Sequence, residues 1–156
     1  MAKITHEVID GFLAQKRLAM IGVSRNPQDF SRALFREFLK RGYDVIPVNP
    51  NAAEAEGVKC FARVGEIAPG VDAALLMTSP ADSAPMLREA IEAGVRRVWL
   101  YRALGKGATH REAVALCRAK GVDLIEGYCP FMFFPETELF HRLHGFFLKL
   151  VGRYPS

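Results

Sequence analysis

The chain has 156 residues, of which 50% are hydrophobic and 24% charged, and its formal net charge is +4 at neutral pH. That length suits one domain burying about 70% of its unfolded surface, and the composition excludes a disordered or low-complexity protein. The mild positive charge fits an anionic ligand, while no basic stripe interleaved with aromatic residues is present, so no nucleic-acid partner is expected.

Residues 5–16 read as a short amphipathic helix, with Val8, Ile9, Phe12 and Leu13 on one side and Thr5 as its cap. This start carries acidic residues and lacks the apolar core of a signal peptide. Residues 17–50 then read as strand, tight loop, helix, strand. The first strand is the apolar run Leu18, Ala19, Met20, Ile21, closed by Gly22; the second runs from Tyr43 to Val48 and is closed by Asn49 and Pro50. Between them Ala33, Leu34, Phe38 and Leu39 share a helix face, and Arg32, Arg36 and Lys40 recur every fourth residue. Gly42 stands where that helix ends, since glycine accepts left-handed geometry cheaply. Two parallel strands joined by a helix form a βαβ unit, and such folds bind nucleotides in its first loop, at the positive end of the helix dipole.

Residues 51–57 read as a polar loop, followed by a short segment at 58–61 and a brief helix ending near 67–70. The third strand, 71–77, is apolar on both faces, as a parallel strand covered by helices should be. Ser79 as cap, Pro80 at the first helical position and Asp82 three residues after Ser79 open the next helix, which runs to Ala93 and stops at Gly94. The fourth strand takes 95–101. Gly105, Lys106 and Gly107 lead to Thr109 and Glu112, spaced as a capping box for a helix that ends at Gly121. The fifth strand is 122–125. Strands alternating with helices predict a parallel sheet covered on both sides. Beyond residue 130, Leu139, Phe140, Leu143, Phe146, Phe147, Leu150 and Val151 mark the apolar face of a further helix opened by Pro135 and Glu136. No run approaches the ~18 apolar residues of a membrane span.

The usual dinucleotide fingerprint after a first strand is G-x-G-x-x-G. Here the loop reads Gly22-Val23-Ser24-Arg25-Asn26-Pro27, with one of the three glycines. An NAD site also wants an acidic residue at the tip of the second strand, where this chain has Val48, Asn49 and Pro50. The fold signal is good and the NAD signal poor. The residues GVSRNP followed by VIPVNP, then the apolar run at 72–77 with Thr78-Ser79-Pro80, then Val98-Trp99-Leu100 and Cys129-Pro130, together resemble the CoA-binding domain family. That domain forms the nucleotide-binding part of succinyl-CoA synthetase α subunits and of ADP-forming acyl-CoA synthetases, and it occurs as a free-standing small protein.

The resemblance spans roughly residues 10–130. It implies an α/β fold, a Rossmann-like three-layer α/β/α domain over 1–130 with a five-stranded parallel sheet in the order 3-2-1-4-5, flanked by the N-terminal helix. The aromatic amphipathic extension over 131–156 is expected to pack on the same domain. The resemblance also implies coenzyme A or an acyl-CoA in the groove at the C-terminal ends of the strands. Gly22 would let the backbone approach the ligand, with Val23, Ser24 and Pro27 completing the phosphate loop and Ser24 donating its hydroxyl. Arg25 and Arg32 carry forked guanidinium groups suited to a pyrophosphate or a 3′-phosphate, although each alone fits a solvated face equally well. Val48, Asn49 and Pro50 would border the adenosine end without a carboxylate to repel a phosphorylated ribose; Asn-Pro is also a common turn signal. Thr78, Ser79 and Pro80 would form the second wall, where Ser79 also serves as a cap. Tyr101, with Arg102 and Lys106, lies after the fourth strand on the side of the pantetheine channel.

Cys60, Cys117 and Cys129 have no metal-ligand spacing, the four histidines show no metal pattern, and three thiols without a secretion signal point to the reduced cytoplasm. Cys129 falls near the expected cleft, and its reactivity turns on exposure and a depressed pKa. No P-loop, nucleophile elbow or paired carboxylates are present, and the synthetases' phosphorylated histidine belongs to a separate domain for which this chain leaves no room. The expectation is a CoA-binding module without chemistry of its own, acting as a sensor or partner subunit. Two alternatives stay open: an NAD(P)- or other nucleotide-dependent enzyme on the same fold, and an interaction protein acting through residues 136–151 on a partner or a second copy.

Overall fold

A computed structural model describes residues 4–101 and 111–135. The helix expected over 136–151, together with Arg102 and Lys106, lies outside the described residues. The elements in order are α1 (His6–Leu13), β1 (Arg17–Ile21), α2 (Phe30–Lys40), β2 (Asp44–Val48), β3 (Glu54–Ala55), β4 (Val58–Lys59), β5 (Ala73–Leu76), α3 (Pro80–Glu92), β6 (Arg97–Leu100), α4 (Arg111–Ala119) and β7 (Asp123–Glu126).

Five strands form one parallel sheet in the order β2-β1-β5-β6-β7. Outside β2, Phe61 makes a single parallel bridge to Val48. Counted as an edge position, that bridge is third in the chain, and the resulting order 3-2-1-4-5-6 contains the expected 3-2-1-4-5. The run at 71–77, read from the sequence as third strand, then becomes the fourth and lies beside β1.

Alternation along each strand sorts the core into two layers. Ala19, Ile21, Ala74, Leu76, Val98 and Leu100 face α3 and α4, where Leu87, Ala90, Ala113 and Cys117 cover them. Leu18, Met20, Ala73, Leu75 and Trp99 face the other way, under Ile9 and Phe12 of α1 and Leu34, Phe35 and Phe38 of α2. Trp99 is fully buried; its indole N–H donates to the Tyr128 carbonyl at 3.0 Å, and Phe12 and Phe133 meet its ring edge-on at 5.3 and 5.8 Å. The three-layer α/β/α architecture follows from these two apolar faces.

Three local expectations change. Thr5 occupies the cap position of α1 in extended geometry, but its side chain makes no capping hydrogen bond. The brief helix expected to end near 67–70 is a single 3₁₀ turn at Val64–Glu66. The polar loop at 51–57 instead carries half of a small antiparallel hairpin, β3 paired with β4 through Glu54–Lys59 and Ala55–Val58.

Candidate functional site

From β1 the chain crosses through α2 to β2 on one side of the sheet, and it later returns to lay β5 on β1's other side. Connections leaving in opposite directions open a crevice at the C-terminal ends of β1 and β5, the place where open α/β sheets receive ligands.

Gly22 forms the floor of that crevice. Its φ is +89°, and a Cβ there would lie 3.0 Å from Thr78 Cγ2 and 3.1 Å from the Met77 carbonyl carbon and oxygen. Only glycine satisfies both the left-handed backbone and the close approach. The Gly22 N–H donates to the Val48 carbonyl at 2.9 Å, and the Met77 N–H donates to the Ile21 carbonyl at 2.8 Å, so the tips of β2, β1 and β5 are tied together.

Side chains build the loop that follows. The Ser24 N–H donates to Ser31 Oγ at 2.9 Å, the Asn26 N–H to Ser24 Oγ at 3.1 Å and the Gln28 N–H to Asn26 Oδ1 at 3.0 Å. Asp29 caps α2: its Oδ1 accepts the Ser31 N–H at 2.8 Å and the Ser31 hydroxyl at 2.6 Å. The helix start and the loop are therefore one hydrogen-bonded unit, presenting the positive end of α2 to the crevice.

Asn49 is a strut between the strand tips. Its Nδ2 donates to the Val23 carbonyl at 2.8 Å, and its Oδ1 accepts the Asn51 N–H at 2.8 Å. On the opposite wall, Thr78 Oγ1 shares a hydrogen bond with Ser83 Oγ at 2.9 Å. Ser79 caps α3 as expected, its Oγ accepting the Asp82 N–H at 3.3 Å, with Pro80 at the first helical position. Beside this wall a cavity of about 220 Å³ is floored by Ile21, Val48, Val64 and Met86 and edged by Pro50. An Arg63–Glu89 ion pair at 3.1 Å stands on its rim.

The profile of the CoA binding domain family matches residues 16–135 of this chain. The chain belongs to that family. Among its relatives, the uncharacterized protein YneT of Bacillus subtilis is 28% identical over 114 residues, covering 73% of this chain and 82% of YneT. The α subunit of an ADP-forming acetate–CoA ligase II from Pyrococcus furiosus is 29% identical over 130 residues, 78% of this chain but only 28% of the much longer subunit. A solved structure of a hypothetical protein from Pyrococcus horikoshii superimposes with a TM-score of 0.73 at 26% identity, covering 80% of this chain and 85% of that one.

Within the family's fold, the site residues expected from the sequence fall into two groups. Gly22, Val23, Ser24, Val48, Asn49, Pro50, Thr78, Ser79 and Pro80 all lie at the adjoining tips of β1, β2 and β5, or directly after them. Tyr101 follows β6, its N–H donating to the Leu76 carbonyl at 3.0 Å. Its ring stacks on Phe30 at 5.3 Å, and Phe30 in turn meets Phe131 at 5.8 Å, which gives the crevice an aromatic wall beside the start of α2. Phe30 is the exposed large hydrophobic side chain among the described residues.

Arg25 and Pro27 are exposed on the loop. Arg32 is almost fully buried and supports the loop from beneath: Nη1 donates to the Ser24 carbonyl at 3.1 Å, while Nε and Nη2 reach Glu56 Oε1 at 3.0 and 2.7 Å. Burial pushes the Tyr101 phenol up, with the neighbouring Cys129 adding to the effect. Burial also raises the Cys129 thiol, to about 11, which opposes the reactive thiolate weighed from its position in the sequence. Sequence reasoning missed Asp29, Ser31 and Glu56. Asp29 immediately before the apolar-periodic run is an N-cap signal, whereas Glu56-Gly57 between Ala55 and Val58 carries only the glycine of a two-residue hairpin turn.

Among the described residues no helix is long and apolar enough to cross a membrane.

Proposed function

We propose that this chain binds coenzyme A, or an acyl-CoA, in the crevice at the tips of β1, β2 and β5, as a binding module rather than by making or breaking bonds in the ligand. One observation carries the reading. The residues that bear the family resemblance, Gly22-Val23-Ser24, Asn49 and Thr78, meet at one topological switch point, where Gly22 gives up its Cβ to bring backbone against backbone. Membership in the CoA binding domain family supports the ligand class, as does the relative that is an acetate–CoA ligase subunit.

On this reading the pyrophosphate lies on the loop at the start of α2, drawn by the helix dipole and by the Ser24 hydroxyl. The adenosine end lies toward Val48, Asn49 and Pro50, where the apolar cavity floor can receive a base. The pantetheine arm leaves along the Tyr101–Phe30 wall. Phosphate recognition at a helix start needs no catalytic group, and none is assigned.

Thermal unfolding with coenzyme A, dephospho-coenzyme A and NAD in parallel tests the reading. A ligand at about 100 times its Kd adds about 2.7 kcal/mol, a shift of roughly 5 to 11 °C at this size. A shift with coenzyme A and none with NAD is expected. A shift with NAD and none with coenzyme A would overturn the proposal in favour of a nicotinamide-dependent enzyme.

A further inference from the structure

Glu56 stands in a conformation that its residue type disfavours. It is a non-glycine residue with positive φ (50°), followed by Gly57 at 75°, at the turn of the β3–β4 hairpin. Turns of this kind favour asparagine, aspartate or glycine at both central positions. What holds a glutamate there is its carboxylate. A single oxygen, Oε1, accepts from Arg32 Nε at 3.0 Å and Arg36 Nη1 at 2.9 Å, with Arg32 Nη2 at 2.7 Å.

The same two arginines also support the loop after β1. Arg32 Nη1 donates to the Ser24 carbonyl at 3.1 Å, and Arg36 Nη1 donates to the Pro27 carbonyl at 3.2 Å. The two sides of the cluster differ in exposure. The Arg32 side chain is 11% exposed, that of Glu56 24% and that of Arg36 46%. The Arg32–Glu56 link is thus sheltered, while the Arg36–Glu56 link faces solvent.

Two forked guanidinium groups one helical turn apart, converging on one anionic oxygen at the edge of a nucleotide loop, make a phosphate-shaped site. We propose that Arg36, with Arg32 behind it, is the seat for a phosphomonoester, and that Glu56 occupies this seat in the free protein. The inference rests on the coenzyme A reading and assigns one part of that ligand, the ribose 3′-phosphate. The chain supplies the geometry: Val48, Asn49 and Pro50 lead through residues 51–53 into the hairpin that carries Glu56. In this assignment the ribose of an adenosine at that tip turns toward the hairpin.

Binding exchanges one anion for another. The phosphate, carrying nearly two negative charges, takes Arg36 from a carboxylate carrying one, and Glu56 retains Arg32. Against a burial cost that raises it, the hydrogen bonds and charges of Arg32 and Arg36 hold the Glu56 carboxyl below its ordinary value. Glu56 therefore competes as a full anion at neutral pH.

The test is calorimetric titration of coenzyme A and dephospho-coenzyme A into the full chain and into two variants, Glu56→Gln and Arg36→Gln. Glu56→Gln should tighten coenzyme A about tenfold and leave dephospho-coenzyme A within about twofold, because the competing charge is gone while a hydrogen-bonding group remains. Arg36→Gln should weaken coenzyme A about tenfold more than it weakens dephospho-coenzyme A, because the Pro27 contact that it also removes serves both ligands alike. If Arg36→Gln binds the two ligands in the wild-type ratio, the seat is overturned and the coenzyme A reading stands. A Glu56→Gln protein that loosens both ligands equally would make Glu56 a strut and also overturn the seat. Should Glu56→Gln fail to fold, the Arg36→Gln ratio decides alone. Failure of the wild-type protein to bind either ligand would refute the functional reading itself.

Discussion

Replacing Gly22 by alanine places a methyl group in the floor of the crevice. At φ +89° the left-handed backbone costs a non-glycine residue about 1–2 kcal/mol. The new Cβ would also meet Thr78 Cγ2 at 3.0 Å and the Met77 carbonyl at 3.1 Å. Neither neighbour yields freely: Thr78 Oγ1 is held by Ser83 Oγ at 2.9 Å, and the Met77 N–H is bonded to the Ile21 carbonyl at 2.8 Å. Overpacking of this kind adds about 1–3 kcal/mol. The two costs sum to about 2–5 kcal/mol, which lowers Tm by roughly 4 to 20 °C at this chain length. Urea and thermal unfolding followed by circular dichroism measure it. The same variant should weaken coenzyme A more than about tenfold, since the tips of β1 and β5 must separate by a few tenths of an ångström or more at the ligand. A variant whose Tm stays within about one degree of wild type, with unchanged affinity, would refute the close-approach argument.

Asp29→Ala removes the α2 cap and should cost about 1 kcal/mol in urea unfolding. It should also weaken coenzyme A several-fold, because the Ser31 hydroxyl that accepts the Ser24 N–H loses its own acceptor. Trp99→Ala should cost about 3–5 kcal/mol, read as a lower urea midpoint, since it opens a cavity under Phe12 and Phe133 and removes the indole hydrogen bond to the Tyr128 carbonyl. Alkylation of native Cys129 by iodoacetamide should rise through pH about 11 rather than near the ordinary 9.0, because the thiolate is the nucleophile. The folded state keeps this proton longer than the unfolded chain, so the corresponding stability is complete below pH 9.0 and declines as the pH climbs toward about 11. A Cys129→Ala variant should lose less stability over that interval.

The frame of the fold was legible because burial and periodicity agree. Leu18 to Ile21, closed by Gly22, forms β1, and the Ser79-Pro80-Asp82 start and the Ala93-Gly94 stop bracket α3 as the residue types require. The edge was harder to read. The parallel contact at Phe61 is one bridge long and gives no apolar run, so the return of 71–77 to the inner side of β1 had no periodic signal of its own. The hairpin was hidden because Glu56 replaces the asparagine or aspartate that marks such turns. Its position depends on Arg32 and Arg36, 24 and 20 residues earlier in the chain. Within the site, the glycine and the strand tips could be placed from sequence. The buried role of Arg32 could not, because a solvated face and a bonded one share the same fourfold spacing.

Amide nitrogen–proton correlation spectra recorded during a coenzyme A titration locate the ligand on the fold. Saturable shifts are expected at Gly22, Val23, Ser24, Asn49, Thr78 and Ser79, with Glu56 and Gly57 following as the hairpin responds, and little change at Val122 on the far side of the sheet. Shifts confined to α4 and β7, or none at the tips of β1 and β5 at saturating coenzyme A, would contradict that location.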